Sequence, residues 1–189
     1  MRQATLAHLY LGGMEDASGW LKDLIRDIPD FPRPGVVFKD LTPLLADAAG
    51  LAECVDSLSK AFEDRPVDKV LGVEARGFII AAPVAVRLGA GFVPVRKAAK
   101  LPWLVHSEAY ELEYGADYLE IHQDALSKGE NALIIDDVLA TGGTASATAR
   151  LVRRLGANPA GFGCIVELAF LGGRGKLIGL DTVSLLRYE

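Results

Sequence analysis

Two adjacent carboxylates precede a glycine pair between threonines in the stretch LIIDDVLATGGTASATA, which runs from Leu133 to Ala149. The apolar residues before the acids are typical of a buried strand, and the residues after the glycines are typical of a helix. Glycine N–H groups, threonine hydroxyls and the positive end of a helix all suit a phosphate. The acids, Asp136 and Asp137, suit the hydroxyls of a sugar or a nearby divalent cation. The stretch therefore predicts a phosphate site beside either a sugar or a divalent cation.

Common nucleotide motifs do not account for this stretch. No Gly-Lys-Ser/Thr follows the glycines, as a Walker loop requires, and the dinucleotide fingerprint G-x-G-x-x-G is absent. An ordinary helix cap followed by an ordinary turn is the simplest alternative. Because ligands bind beyond the carboxyl ends of strands in open parallel sheets, the order of strand, acids, glycine loop and helix favours a binding site.

The elements around the site alternate between strands and helices, which predicts an α/β fold with a central, mostly parallel sheet flanked by helices. The predicted strands are KVLGVE, FVPVRK, DYLEIHQ, NALIID, FGCIVEL and TVSLLRY, and helical patterns are centred on LAECVDSLSKAF, FIIAAPVAVRL and SATARLVRRL. A first amphipathic helix is expected over residues 21–28, where apolar residues follow helical spacing up to Pro29. The proline-rich residues 29–45 are expected to pack as an irregular cover.

The composition is that of a soluble globular protein of 189 residues, half of them apolar, which suits one domain with a sizeable core. With 25 acidic and 20 basic side chains the net charge is -5, so no overall positive field attracts nucleic acid or anionic membranes. The cysteines and histidines lack metal-ligand spacing. We expect a cytoplasmic protein, because no run approaches the roughly 18 apolar residues of a membrane helix and no leader is recognisable. Met14 is an alternative start to Met1.

Several blocks of the sequence resemble one enzyme family. IIDDVLATGGT resembles the phosphoribosyl pyrophosphate (PRPP) motif of type I phosphoribosyltransferases. Four further blocks resemble segments of adenine phosphoribosyltransferases and occur in the same order as in that family. The base-binding segment is resembled by FPRPGVVFKDLTPLL and the pyrophosphate loop by EARGF. The basic loop is resembled by VRKAAKLPW and the catalytic loop by YELEYG. The resemblance implies the type I phosphoribosyltransferase fold in a single domain, residues 1–189, with residues 28–45 as a small N-terminal hood over the base.

The resemblance also implies a reaction: transfer of the 5-phosphoribosyl group from PRPP to N9 of adenine, giving AMP and pyrophosphate. The implied partners are adenine, PRPP and a second copy of the chain in a homodimer. Mg²⁺ is expected to be held mainly by PRPP, with no direct protein ligand. Cleavage at the anomeric carbon builds positive charge on the ribose and negative charge on pyrophosphate, so the site needs acids near the ring and cations near the leaving group.

Individual residues receive roles through this resemblance. Asp136 and Asp137 are expected on the ribose hydroxyls. The 5′-phosphate is expected on Ala140, Thr141, Gly142, Gly143 and Thr144. Pyrophosphate is expected on Glu74, Ala75, Arg76, Arg96, Lys97 and Lys100, with a cis peptide between Glu74 and Ala75. Adenine is expected on Val37, Phe38, Lys39 and Val138.

Two residues are the catalytic candidates. Glu113 is placed to exchange a proton with the purine, although a solvent-facing acid in a charged loop is the simpler interpretation. Arg76 is placed to stack on the purine or to pair with phosphate, and the simpler interpretation is a surface charge. Within the basic loop, Ala99 and Trp103 stand where the family has glycine.

Three other functions stay open from the sequence. One is the same fold acting on xanthine or guanine, which the FPRPGVVFKD block disfavours. Another is a PRPP-sensing regulator without turnover, although no basic recognition helix is recognisable. The third is a purely structural α/β module, which the polar blocks at the predicted strand ends disfavour.

Overall fold

A computed structural model describes residues 19–111 and 116–189 of the chain. The predicted proton-transfer residue Glu113 and the alternative start Met14 lie outside these residues. The described chain divides into two compact units, of which one ends at Cys54 and the other comprises Val55–Glu189.

The N-terminal unit contains an antiparallel strand pair. A short 3-10 helix, Gly19–Leu24, precedes strand β1, Arg26–Pro29, which pairs with β2, Val37–Asp40. The expected helix over residues 21–28 is therefore wrong beyond Leu24. Ile28 precedes a proline, which disfavours helical backbone, and pairing with β2 supplies the hydrogen bonds that a helix would have supplied. The expected irregular cover thus contains an ordered strand.

Two helices follow β2. Helix α1 comprises Thr42–Ala46, and α2 comprises Ala48–Phe62. The predicted apolar stripe of α2 is confirmed, since its members Leu58 and Phe62 are fully buried. The two cysteines, Cys54 and Cys164, are also fully buried and free. Burial raises the pKa of the Cys54 thiol to about 12, so this side chain behaves as a small apolar residue.

The larger unit is built on one sheet, whose strands in the described residues are β3 Lys69–Val73, β4 Gly91–Lys97, β5 Val105–Glu111, β6 Ala116–His122, β7 Asn131–Leu139, β8 Asn158–Leu168 and β9 Thr182–Tyr188. Their spatial order is β5-β6-β4-β3-β7-β8-β9. The five strands β4, β3, β7, β8 and β9 are parallel to one another. Strand β6 pairs antiparallel with β4, and β5 pairs antiparallel with β6. The predicted mostly parallel sheet is confirmed.

Helices flank this sheet. Helix α3, Gly77–Leu88, follows β3, and helix α4, Gly143–Arg154, follows β7. The central strands carry unbroken apolar runs, as expected for strands buried on both faces. Accordingly Leu71 of β3, Ile134 of β7 and Phe162 of β8 are fully buried.

Several strands of the sheet differ from the sequence prediction; β8, for example, begins at Asn158 and not at Phe162. Strand β7 was expected to end at Asp136 but continues to Leu139, because the long β8 still pairs with it there. Strand β5 was not predicted, since the segment VHSEAYE lacks a continuous apolar run. It forms because all seven of its residues pair with β6.

Within residues 19–111 and 116–189, no helix combines the length and the apolar character needed to cross a membrane. The cytoplasmic location stays a prediction.

The turn after β4 contains a backbone conformation that favours glycine. Ala99 has φ of +64° and donates its N–H to Glu120 Oε2 at 2.9 Å. Left-handed backbone costs an alanine on the order of 1 kcal/mol relative to glycine. We therefore expect Ala99→Gly to raise the free energy of unfolding by about 0.5–1 kcal/mol, measured by urea denaturation.

The matched control is Ala98→Gly, because Ala98 has no positive φ. Glycine there adds only freedom to the unfolded chain, so stability falls by up to about 1 kcal/mol. A loss of stability in both variants would contradict the expected relief at Ala99.

Candidate active site

The predicted ribose and pyrophosphate residues meet at the carboxyl ends of β3 and β7. These strands are parallel neighbours, with Gly72 opposite Ile135. The turn after β3 therefore lies beside the acids of β7, and Arg76 Nε donates to Asp137 Oδ2 in an ion pair. The cis peptide expected between Glu74 and Ala75 is present in this turn.

Asp136 is nearly buried, with 7% of its surface exposed. Its Oδ1 accepts the backbone N–H of Asp137 at 2.9 Å, and its Oδ2 lies 3.5 Å from Thr144 Oγ1. Burial, reinforced by the negative charge of Asp137, raises the pKa of Asp136. A positive group at this position would therefore stabilise the ionised carboxylate strongly.

The glycine loop leads directly into α4. Gly142 has φ of +73° and precedes the first residue of the helix, and its carbonyl accepts the N–H of Ser146 at 3.0 Å. No side chain caps this helix end among the described residues. The first N–H groups of α4 and the hydroxyl of Thr144 are thus arranged around the predicted phosphate position, where the helix dipole favours an anion.

Glu74 contacts three of the basic residues that were predicted to bind pyrophosphate. Its side chain is 8% exposed and accepts Arg96 Nε at 3.2 Å, the backbone N–H of Lys97 at 3.0 Å, and the Lys100 ammonium. Burial opposes ionisation of Glu74, but the hydrogen bonds from Lys100 and Lys97 and the charge of Arg96 outweigh it and hold its pKa below the ordinary value. The carboxylate therefore fixes a compact group of positive charges beside the β3 turn.

Sequence reasoning missed a second acid beside this group. Lys97 Nζ lies 3.5 Å from Asp117 Oδ2, which also accepts the Tyr110 hydroxyl at 3.0 Å. The backbone N–H of Tyr118 is the main cause of the lowered pKa of Asp117, and burial raises the pKa of Tyr110 to about 12. Alternation of side chains between the two faces of the strand DYLEIHQ could have revealed Asp117, because it places this acid on the same face as the buried Leu119.

The predicted adenine residues lie in two places. Val37, Phe38 and Lys39 belong to β2 of the N-terminal unit, where the Phe38 ring packs edge-to-face on Phe31 with centroids 5.2 Å apart. Lys39 Nζ pairs with both carboxylate oxygens of Asp27, at 2.7 and 2.8 Å.

Val138, the fourth predicted adenine residue, belongs to β7 and pairs with Val166 of β8. It lies two positions after Asp136, so both side chains leave the strand on the same face.

Comparison with known proteins decides the family. Residues 40–176 match the family described as phosphoribosyl transferase domain. The adenine phosphoribosyltransferase of Crocosphaera subtropica is 56% identical over 171 residues, which are 89% of this chain and 99% of that protein. The chain belongs to the adenine phosphoribosyltransferase family.

Solved structures confirm the type I phosphoribosyltransferase fold. The adenine phosphoribosyltransferase of Thermoanaerobacter pseudethanolicus superposes with a TM-score of 0.88 at 50% identity, covering 90% of this chain and 99% of that one. The enzyme of Saccharomyces cerevisiae, solved with adenine and an imino-altritol bisphosphate, gives 0.84 at 38% identity, covering 90% and 98%. The family resemblance inferred from the motifs is therefore confirmed.

The different surroundings of the paired acids generate a stability prediction. The raised pKa means that folded Asp136 retains its proton where the unfolded chain has lost it, so its contribution to stability falls as the pH rises above the ordinary aspartate range. We expect Asp136→Asn to raise the free energy of unfolding at pH 7. The gain shrinks as the pH falls toward that range, and urea denaturation at several pH values measures it.

Asp137→Asn is the matched control. It removes the ion pair with the half-exposed Arg76 but also the negative charge that disfavours ionised Asp136, so we expect no gain in stability at pH 7 and a loss of at most about 1 kcal/mol. Equal losses in Asp136→Asn and Asp137→Asn would contradict the assignment of the burial cost to Asp136.

Proposed function

We propose that the chain is a purine salvage enzyme that transfers the 5-phosphoribosyl group of PRPP to N9 of adenine, giving AMP and pyrophosphate. One observation carries the proposal: two carboxylates, Asp136 and Asp137, lie between an uncapped helix start and a compact group of cations. A phosphorylated sugar with an anionic leaving group needs these three features together. Family membership supports the same reaction.

The 5′-phosphate binds residues 140–144. The glycine backbone there supplies N–H donors, and Thr141 and Thr144 supply hydroxyls. The start of α4 adds a positive field, because its first N–H groups have no partner within the helix. These groups hold the non-reacting end of PRPP and so fix the position of the anomeric carbon.

Opposite charges then develop at the two ends of the breaking bond. Asp136 and Asp137 accept the ribose hydroxyls and stabilise the positive charge that grows on the ring. The ionised form of Asp136 is costly in its buried position, so a cationic ribose beside it lowers that cost most in the transition state. Pyrophosphate meets Arg76 and the cations held by Glu74, which are arranged before the substrate arrives.

Adenine is read by the hood, residues 28–45. The backbone of Val37 and Lys39 offers an N–H and a C=O to the ring nitrogen and amino group of adenine, a pattern that a 6-oxo purine does not match. Phe38 supplies an aromatic contact to the base, and Val138 supplies an apolar contact. Glu113 exchanges a proton with the purine.

Magnesium would be held mainly by PRPP and not by a dedicated protein site. Among the described residues, no group of three His, Cys, Asp or Glu side chains is placed to hold a metal ion. The donor set fits a shared ion, because Mg²⁺ usually takes one or two carboxylates together with substrate phosphates and waters. The oxygens of PRPP would be its main ligands, with Asp136 and Asp137 nearby, and the charge it would supply when bound favours the pyrophosphate leaving group.

The test is AMP formation by purified protein from PRPP, magnesium and adenine, with hypoxanthine, guanine and xanthine in parallel. We expect turnover with adenine alone, and a roughly 10²–10⁴-fold lower kcat in Glu113→Ala through loss of proton transfer. The matched control is Glu111→Ala, a neighbouring acid with no assigned role, which should retain wild-type turnover.

Each alternative has its own outcome in this assay. Turnover with xanthine or guanine in place of adenine would identify a different purine phosphoribosyltransferase. PRPP binding without turnover on any base would favour a regulator. Full activity in Glu113→Ala would remove Glu113 from the mechanism and leave the reaction assignment intact.

The homodimer is the second part of the proposal. Helix α3 is apolar on its exposed side as well as its buried side, since Ile79 is 47% exposed and Val86 is 80% exposed. Phe92, in β4, is 38% exposed. Apolar surface of this kind is usually covered by a partner, and a second copy of the chain is the partner we propose.

We expect Val86→Glu to convert the dimer to a monomer, because a charge at a dry interface has no partner there. Light scattering coupled to size-exclusion chromatography gives the mass. The matched control is Ile178→Glu, at a residue that is 89% exposed and lies outside α3. A monomeric wild type, or an unchanged mass in Val86→Glu, would contradict the assignment of α3 to the interface.

A further inference from the structure

An ion pair between a buried carboxylate and a partly exposed arginine lies at the same end of the sheet as the candidate site but includes none of the residues assigned to it. Glu167, near the end of β8, is 2% exposed and accepts both Nε of Arg174, at 2.9 Å, and Nη2 of the same side chain. The hydrogen bonds from Arg174 hold the pKa of Glu167 below its ordinary value despite burial. This geometry is a two-pronged pairing of a planar guanidinium with a carboxylate.

Strand β9 holds the same pair from the other side. Arg174 Nη1 donates to the carbonyl of Thr182 at 2.8 Å, and Ser184 Oγ donates to Glu167 Oε2 at 2.7 Å. The guanidinium is thus fixed by groups from β8 and β9 together. Arg174 belongs to the short 3-10 helix Gly173–Leu177, here called the support helix.

The support helix contacts the proposed phosphate loop backbone to backbone. A methyl group on Gly173 would overlap the carbonyl oxygen of Ala140, and one on Gly142 would overlap the carbonyl oxygen of Gly173. Helix α4 also packs on the support helix. Because no side chain lies between these two segments, no rotamer change can absorb a displacement of the support helix, and the loop must follow it.

We propose that Glu167 and Arg174 are positioning residues for the 5′-phosphate loop. Their ion pair fixes the support helix, and Gly173 backs the loop at Ala140 and Gly142. This inference rests on the proposed function, since it takes residues 140–144 as the phosphate site. A hydrogen bond to phosphate weakens when the donor–acceptor distance changes by tenths of an ångström. A small shift of the loop therefore weakens binding of a 5′-phosphate and leaves the pyrophosphate end of the site unaffected.

Arg174→Lys tests the proposal, because lysine keeps the positive charge and loses the two-pronged geometry. Calorimetric titration compares AMP, which carries the 5′-phosphate, with magnesium pyrophosphate, which does not. We expect the Kd of AMP to rise on the order of tenfold to a hundredfold. The Kd of pyrophosphate should stay within about twofold of wild type.

Arg87→Lys is the matched control. Arg87 pairs with Asp56 at the end of α3, and neither residue is among the partners of Glu167 or Arg174. Its loss should leave the AMP affinity unchanged. Ser184→Ala is a gentler variant that removes only one hydrogen bond to Glu167, and a smaller rise in the AMP Kd is expected from it.

The outcomes separate the two proposals. If wild-type protein binds AMP and Arg174→Lys weakens both ligands equally, or if Arg87→Lys weakens AMP as much as Arg174→Lys does, the ion pair has only a general structural role and the inference is overturned. Unchanged AMP affinity in both Arg174→Lys and Ser184→Ala overturns it as well. If Arg174→Lys does not fold, Ser184→Ala decides alone. A wild-type protein that binds neither AMP nor PRPP overturns the proposed function together with the inference.

Discussion

Parallel pairing of β3 with β7 is the constraint on which the candidate site depends. Gly72 opposite Ile135 brings the turn after one strand to the acids of the other, so Arg76 contacts Asp137 across 61 positions of sequence. In a parallel sheet, the loops that follow the strands all open at the same edge. The β3 turn, the β7 acids and the start of α4 therefore lie together at that edge, although they are separated along the chain.

Charge balance then determines how the edge is built. A buried carboxylate is stable only beside donors or cations, and each acid here meets that requirement differently. Asp137 pairs with Arg76, and Glu74 collects the basic segment after β4, whereas Asp136 relies on a backbone N–H and a distant hydroxyl. The acid with the weakest compensation is thus Asp136, beside the glycine loop, where a positive group would be most favourable.

The N-terminal unit and β5 mark the limit of prediction from spacing. Residues 21–28 have helical apolar spacing, but the backbone after Leu24 pairs with β2, because Pro29 disfavours helix and a partner strand was available nearby. Strand β5 carries mostly polar residues and forms through its ladder with β6. In both cases the hydrogen bonds come from a partner strand, which periodicity within one segment does not reveal.

The sequence by itself determined the fold class, the family, and the order of acids, glycine loop and helix after β7, because each of these depends on patterns within segments and on the order of the segments along the chain. Only the tertiary structure decided which charges are paired. Strand order and register set the ion pairs of Glu74 with Lys100, of Arg76 with Asp137, and of Glu167 with Arg174. Side-chain type gives the sign of a charge, but the distance to its partner, and so its energy, exists only once the sheet has brought distant segments together.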